Sequence, residues 1–186
     1  MPLKRITDDS DSKMTKAVDV LHDELKGLRT GRASTGLVEN LKVEYYGTLT
    51  PLKQLATLAA PQADMIIIKP FDPASIKDIE KAIKTSDLSI APLVEAKMIR
   101  LSIPPLSEER RKQLVAQARQ LGEQSRVSIR NIRRDAIKHL ETEEKAKTIT
   151  EDDLEKGKKQ MDELTRKYSD KVDEMVRHKS DEIMAD

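Results

Sequence analysis

The sequence predicts an α+β protein, an elongated three-helix bundle with a small inserted mixed α/β domain joined to it by a two-strand hinge. Three observations predict this. Three separate segments carry apolar residues at steps of three and four, the period of a helix with one buried face. Between them, residues 31–105 switch to short alternating or continuous apolar runs bounded by Gly and Pro, the pattern of strands. Charged residues make up 36% of the 186 and aromatics 2%, with no Trp, a balance that suits long amphipathic helices with aliphatic seams better than a deep aromatic pocket.

The first helical segment carries Met14, Val18, Leu21, Leu25 and Leu28 and stops at Gly31. Asp8, Asp9 and Asp11 are expected near its N-terminus, where the helix dipole favours acids. The chain then enters the insert through Gly31-Arg-Ala-Ser-Thr-Gly36. Leu41 to Tyr46 alternates like a half-buried strand and Gly47 marks a turn. Met65 to Lys69 and Met98 to Ile103 read as two further strands. Asp72-Pro73 opens a short helix with Ile76, Ile79 and Ile83 on one face. Pro104-Pro105 cannot donate ladder hydrogen bonds and end the insert. The domains are therefore expected at 1–30 with 106–186 for the bundle and at 31–105 for the insert. Gly31, Gly36, Pro104 and Pro105 form the expected hinge.

The second long helix is expected from about Ser107 to Lys147, with Leu114, Ala118, Leu121, Ile129, Ile132, Ala136 and Leu140 on its apolar side. Arg119, Arg126, Arg130, Arg133 and Arg134 fall on another side, within roughly a third of the circumference. Between Arg110 and Lys138 the only acids are Glu123 and Asp135. A row of arginines suits bidentate contacts to phosphate. The alternative is that Arg126, Arg130 and Arg134 pair with acids of the third helix. That helix starts at Thr150, an N-cap with Asp153 three residues on, and its seam is Leu154, Met161, Leu164, Tyr168, Val172, Met175 and Val176.

Other chemistry is scarce. A formal net charge of +1 gives no global polyanion signal. The absence of Cys excludes disulfides and thiol catalysis. His22, His139 and His178 lie on separate expected helices without partners at metal or catalytic spacing. Gly31 and Gly36 have the separation of a phosphate loop, but Leu37-Val38 follow where Lys and Ser/Thr are required. No run approaches a membrane span and no signal or transit peptide opens the chain, so a cytoplasmic protein is expected. Tyr45-Tyr46 either divide between core and surface or stack on bases.

Several blocks resemble the ribosome recycling factor family: Pro105-Leu-Ser-Glu-Glu-Arg-Arg-Lys112, Val127-Ser-Ile-Arg-Asn-Ile-Arg-Arg-Asp-Ala136, Leu28-Arg-Thr-Gly-Arg-Ala-Ser34, Val43-Glu-Tyr-Tyr-Gly47 with Thr50-Pro-Leu52, Glu80-Lys-Ala-Ile83 and Ser86-Asp-Leu88. They run in the family's order and span essentially the whole chain. The resemblance implies the same bundle and insert. It also implies binding to the large ribosomal subunit and its rRNA, and, with elongation factor G and GTP, splitting of the post-termination complex to release messenger and tRNA. Arg130, Arg133 and Arg134 correspond to the family's rRNA-contacting arginines, and Arg29 and Arg32 fall in its motif near the hinge. The expected RNA-binding set is thus these five residues with Arg119 and Arg126. GTP hydrolysis would belong to the partner, so no enzyme activity, cofactor or metal is expected, and a monomer is. A non-catalytic helical protein-interaction module remains the alternative. Three places depart from the family: Ser89-Ile90-Ala91-Pro92 stands where the family usually has a glycine and then Asn-Pro, Glu95-Ala96-Lys97 where it has a glycine-containing turn, and Phe71 where tryptophan is commoner.

Overall fold

The computed structural model describes residues 2–185. Four helices and six strands follow one another as α1 (Pro2–Lys26), β1 (Lys42–Tyr45), β2 (Thr48–Pro51), β3 (Ala56–Gln62), β4 (Met65–Pro70), α2 (Ile76–Thr85), β5 (Pro92–Glu95), β6 (Met98–Ser102), α3 (Glu108–Lys145) and α4 (Glu151–Met184). The chain divides into two compact units. One takes Met1–Leu25 and Ala116–Lys179, the other Lys26–Val115 and Ser180–Asp186.

In the first unit, α1, α3 and α4 bury one aliphatic face each. Met14, Leu21, Ile129, Leu140, Met161 and Val172 are fully or almost fully enclosed, and their spacing of seven or eleven within a helix returns each pair to one face. A Cβ on Gly157 of α4 would come within 2.7 Å of Leu140 and 2.8 Å of Leu3, so the bare backbone there lets the helices approach closely. α1 starts at Pro2 with no acid in its first turn. Asp8, Asp9 and Asp11 therefore lie about two turns inside the helix rather than at its positive end. Helix-forming residues such as Leu3, Lys4 and Arg5 carry the helix back past the expected start.

α1 is fastened to α4. Thr7 Oγ1 donates to Gln160 Oε1 at 3.2 Å, and the buried Tyr168 hydroxyl donates to Asp11 Oδ1 at 2.6 Å and lies 2.8 Å from Thr15 Oγ1. Burial, then the Asp11 carboxylate, push the Tyr168 phenol above its ordinary range. On its other side α1 faces α3 across an open furrow of about 1100 Å³, with Ile6, Ile132 and Ala136 among its lining residues and Arg5, Asp9, Asp135 and His139 beside them. Among the described residues, none of the furrow's side chains hydrogen-bonds across it.

The α3–α4 connection places Lys147 at φ 58°. α4 then opens with a reciprocal cap: the Asp153 amide donates to Thr150 Oγ1 at 3.1 Å and the Thr150 amide donates to Asp153 Oδ2 at 3.2 Å, the capping arrangement expected from Thr150.

The second unit is an α+β fold. β1 and β2 form a hairpin, and β3-β4-β6-β5 form a separate antiparallel sheet. Val43, Leu52, Ile66, Ile68, Ile79, Ile83, Ile99 and Leu101 make its core. Asp72 Oδ1 accepts from the Ala74 amide at 2.9 Å and so caps the turn that leads into α2. β2, β3 and β5 are strands beyond the three expected. They are short, small-residue or Pro-containing segments whose pairing comes from their neighbours rather than from apolar alternation.

Within this unit both segments of the expected hinge are tied to the β3–β4 turn. The Ala33 amide donates to Ala63 O at 2.6 Å and the Ile103 amide to Asp64 O at 2.7 Å. Ser89 and Ala96, at two of the places expected to depart from the family, adopt left-handed φ of 54° and 51°. The loop keeps the conformation a glycine would favour, with side chains that resist it.

Candidate nucleic-acid interface

The arginine row of α3 lies on the flank that faces α4. Arg126 Nε donates to Glu123 Oε2 at 3.0 Å and its Nη1 bonds Asp173 of α4. Arg130 Nη2 reaches Glu123 Oε1 at 2.7 Å. Arg133 Nη2 reaches Asp162 Oδ1 of α4 at 2.8 Å. The hydrogen bonds from Arg130, then from Arg126, hold the Glu123 carboxyl below the usual range. Arg119 and Arg134 are exposed and, among the described residues, form no ion pair.

The row is therefore partly engaged. Of the three arginines expected as partners of α4 acids, only Arg126 has one; Arg130 is held within its own helix and Arg133 takes Asp162 instead. The acids that do this were readable in part, because Asp162 and Asp173 are eleven residues apart and so fall on one face of α4. These pairs stay accessible: Arg133 and Asp162 side chains are 42% and 59% exposed. A polyanion that displaced such carboxylates would give up about 0–1 kcal/mol per exposed pair and gain charge-assisted contacts to phosphate.

Arg29 and Arg32 lie in the second unit. Arg29 Nη2 donates to the Pro104 carbonyl, while its Nε is enclosed without a hydrogen-bond partner. Burial, then the nearby Arg110 charge, lower its pKa. Arg32 is exposed. Arg110, absent from the expected set, donates to Gln113 Oε1 at 3.1 Å. The approach of its charge to Arg29 is a tertiary feature that no local spacing announces.

No catalytic or metal constellation accompanies the arginines. Among the described residues no His, Asp or Glu cluster could hold a metal ion, the three histidines are exposed, and no helix is long and apolar enough to cross a membrane.

Comparison with known proteins gives the row its context. Residues 21–184 match the family model described as Ribosome recycling factor. The chain is a member of the ribosome recycling factor family. It is 46% identical over 176 residues to the ribosome-recycling factor of Oleidesulfovibrio alaskensis, covering 95% of this chain and 96% of that one. Over 181 residues it is 44% identical to that of Halalkalibacterium halodurans, covering 97% and 98%. A solution structure of the ribosome recycling factor superposes with a TM-score of 0.75 at 40% identity, covering 99% of this chain and 98% of that one. The T. thermophilus ribosome recycling factor, in a structure with E. coli elongation factor G bound to the E. coli post-termination complex, aligns over the full length of both chains at 40% identity with a TM-score of 0.67. The α+β architecture is that of the family.

Proposed function

We propose that this chain recycles ribosomes after termination, by binding the large subunit's rRNA through Arg119, Arg126, Arg130, Arg133 and Arg134 with Arg29 and Arg32, and by splitting the post-termination complex together with elongation factor G and GTP. The observation that carries the reading is the arginine row on α3 in a chain that matches the recycling family over residues 21–184. Arg119 and Arg134 offer exposed guanidiniums at once; Arg126, Arg130 and Arg133 exchange carboxylates for phosphates on binding.

The role is mechanical. The row anchors the protein, GTP hydrolysis belongs to the partner factor, and the protein acts as a monomer in the cytoplasm. Gly31 and Gly36 on one crossing and Pro104 and Pro105 on the other are the proposed hinge. The support covers Gly31, Pro104 and Pro105: Ala33 and Ile103 are hydrogen-bonded to the β3–β4 turn, which leaves rotation to those residues just outside the two ties, whereas Gly36 lies inside them. A displacement of the insert about this hinge, driven by the GTPase, would strain the contacts that hold the subunits together.

The test mixes the purified protein with post-termination ribosomes, elongation factor G of the same species and GTP, and follows subunit splitting by light scattering. Splitting that requires both factors supports the proposal. Absence of splitting, with a salt-insensitive and RNase-insensitive protein complex in its place, would replace it with a helical interaction module.

A further inference from the structure

Three of the five arginines in the α3 row are met by acids, and those acids stand in the open. Glu123 accepts from Arg126 Nε at 3.0 Å and from Arg130 Nη2 at 2.7 Å. Asp173 of α4 takes Arg126 Nη1, and Asp162 takes Arg133 Nη2. The Glu123, Asp162 and Asp173 side chains are 54%, 59% and 62% exposed, so an approaching phosphate meets them together with the guanidiniums. The backbone helps to bring Asp173 there. A Cβ on Gly122 would lie 2.5 Å from Val176 Cγ2 and 3.7 Å from both terminal nitrogens of Arg126. Its absence lets α4 close on α3 beside that guanidinium.

Fastening the helices explains only part of this arrangement. Asp162 and Asp173 tie α4 to α3, but exposed pairs of this kind are individually weak. Glu123 ties no second helix, since both of its arginines lie on α3, three and seven residues on. It is one of only two acids between Arg110 and Lys138, and it lies within the row. A surface built for RNA affinity alone would leave such positions neutral, because each carboxylate repels the phosphate that its arginine attracts. That cost falls unequally on different RNAs. Folded RNA holds its phosphates in a fixed array, so several can displace carboxylates in one event. A flexible single strand must order a nucleotide for each carboxylate it displaces.

We infer that Glu123, Asp162 and Asp173 are specificity-determining residues: they withhold Arg126, Arg130 and Arg133 from single-stranded RNA and yield them to the fixed phosphates of folded rRNA. The inference rests on the proposed rRNA-binding role. A bare row would also bind single strands, to which backbone charge alone gives affinity.

The test compares binding to an oligouridylate and to purified large subunits across a salt series. The variant Glu123→Gln/Asp162→Asn/Asp173→Asn frees three arginines, so its salt slope on the oligouridylate should steepen by about 2, at about 0.7 per arginine. Its slope on the large subunit should stay that of the wild type, because the same arginines reach phosphate in both. Asp8→Asn/Asp19→Asn/Asp23→Asn removes three exposed acids of α1 that hold no arginine and is the charge-matched control. It should steepen the oligouridylate slope by less than half as much. Glu123→Gln alone breaks no tie between helices and remains informative if the triple variant fails to fold. It frees Arg130, while Asp173 keeps Arg126, so a steepening of about 0.7 is expected.

An unchanged oligouridylate slope in Glu123→Gln and in the row variant would overturn the inference. So would an α1 control that matches the row variant, which would show a general charge effect, or an equal steepening on the large subunit, which would show no selectivity. A wild type that does not bind the large subunit would overturn the proposed function itself, and this is read from the wild type alone.

Discussion

Replacing Asp162 by asparagine should tighten binding to the large subunit. Asp162 holds Arg133 at 2.8 Å, with both side chains about half exposed. An exposed pair of this kind contributes about 0.2–1 kcal/mol, which an incoming phosphate must displace. Asp162→Asn keeps the shape and removes the competitor, so affinity should rise about 1.4- to 5-fold. Arg133→Ala should do the opposite. It removes a phosphate contact and lowers the salt slope by about 0.7–0.9. Between about 50 and 200 mM salt its affinity deficit against the wild type should therefore shrink about threefold. The assay is sedimentation or filter binding of large subunits at four salt concentrations. The double variant decides the cause: if Asp162 acts by withholding Arg133, it binds like Arg133→Ala alone. A double variant tighter than Arg133→Ala, by the same factor that separates Asp162→Asn from the wild type, would show a general charge effect. An unchanged salt slope in Arg133→Ala would remove Arg133 from the interface.

Three further outcomes are expected. Ser89→Gly and Ala96→Gly place glycine where φ is 54° and 51°; relief of about 1 kcal/mol of left-handed strain outweighs the added freedom of the unfolded chain, so each should raise the thermal midpoint of unfolding. Tyr168→Phe removes the hydroxyl shared by Asp11 and Thr15 and should destabilise the bundle by about 1–2 kcal/mol in denaturant titrations. The Tyr168 phenol is raised in the folded state, so its contribution is fully present below the ordinary tyrosine range and is lost as pH rises through the raised value; the variant should abolish that alkaline loss. Glu123 is lowered instead, by Arg130 and Arg126. Its contribution is present above the ordinary 4.5 and is lost as pH falls through the lowered value, so Glu123→Gln should flatten that part of the acid limb in melting experiments.

The helices were legible because their signal is local. Met14, Leu21, Ile129, Leu140, Met161 and Val172 recur at the helical period and are the residues that become buried. The Thr150–Asp153 cap was legible for the same reason, since both partners lie within four residues. β2, β3 and β5 were not, because Thr48–Pro51, Ala56–Gln62 and Pro92–Glu95 owe their strand state to partners elsewhere in the chain.

The candidate site divided along the same line. One-helix geometry placed the arginines on a common side of α3. Their engagement by Asp162 and Asp173, and the approach of Arg110 to Arg29, depend on helices and crossings far away in sequence. Tyr46 fell between the two cases. Strand alternation assigned Tyr45 and Tyr46 to opposite faces, but Gly47 draws Tyr46 out of the strand and into the turn.

The ties that fasten α1 to α4 have a consequence for how this protein is made. Thr15 and Tyr168 are separated by 153 residues, and Asp11 and Tyr168 by 157. During synthesis α1 leaves the ribosome well before the helices that cover its apolar face. At roughly 5–20 residues per second this delay is about 8–30 s. Through that interval Met14, Leu21 and Leu25 have no bundle to join, while the β-sheet unit, whose contacts lie mostly within a continuous stretch, has all its strands to hand. Nascent α1 is thus the segment with the greatest need of a chaperone until Tyr168 and its helix have emerged.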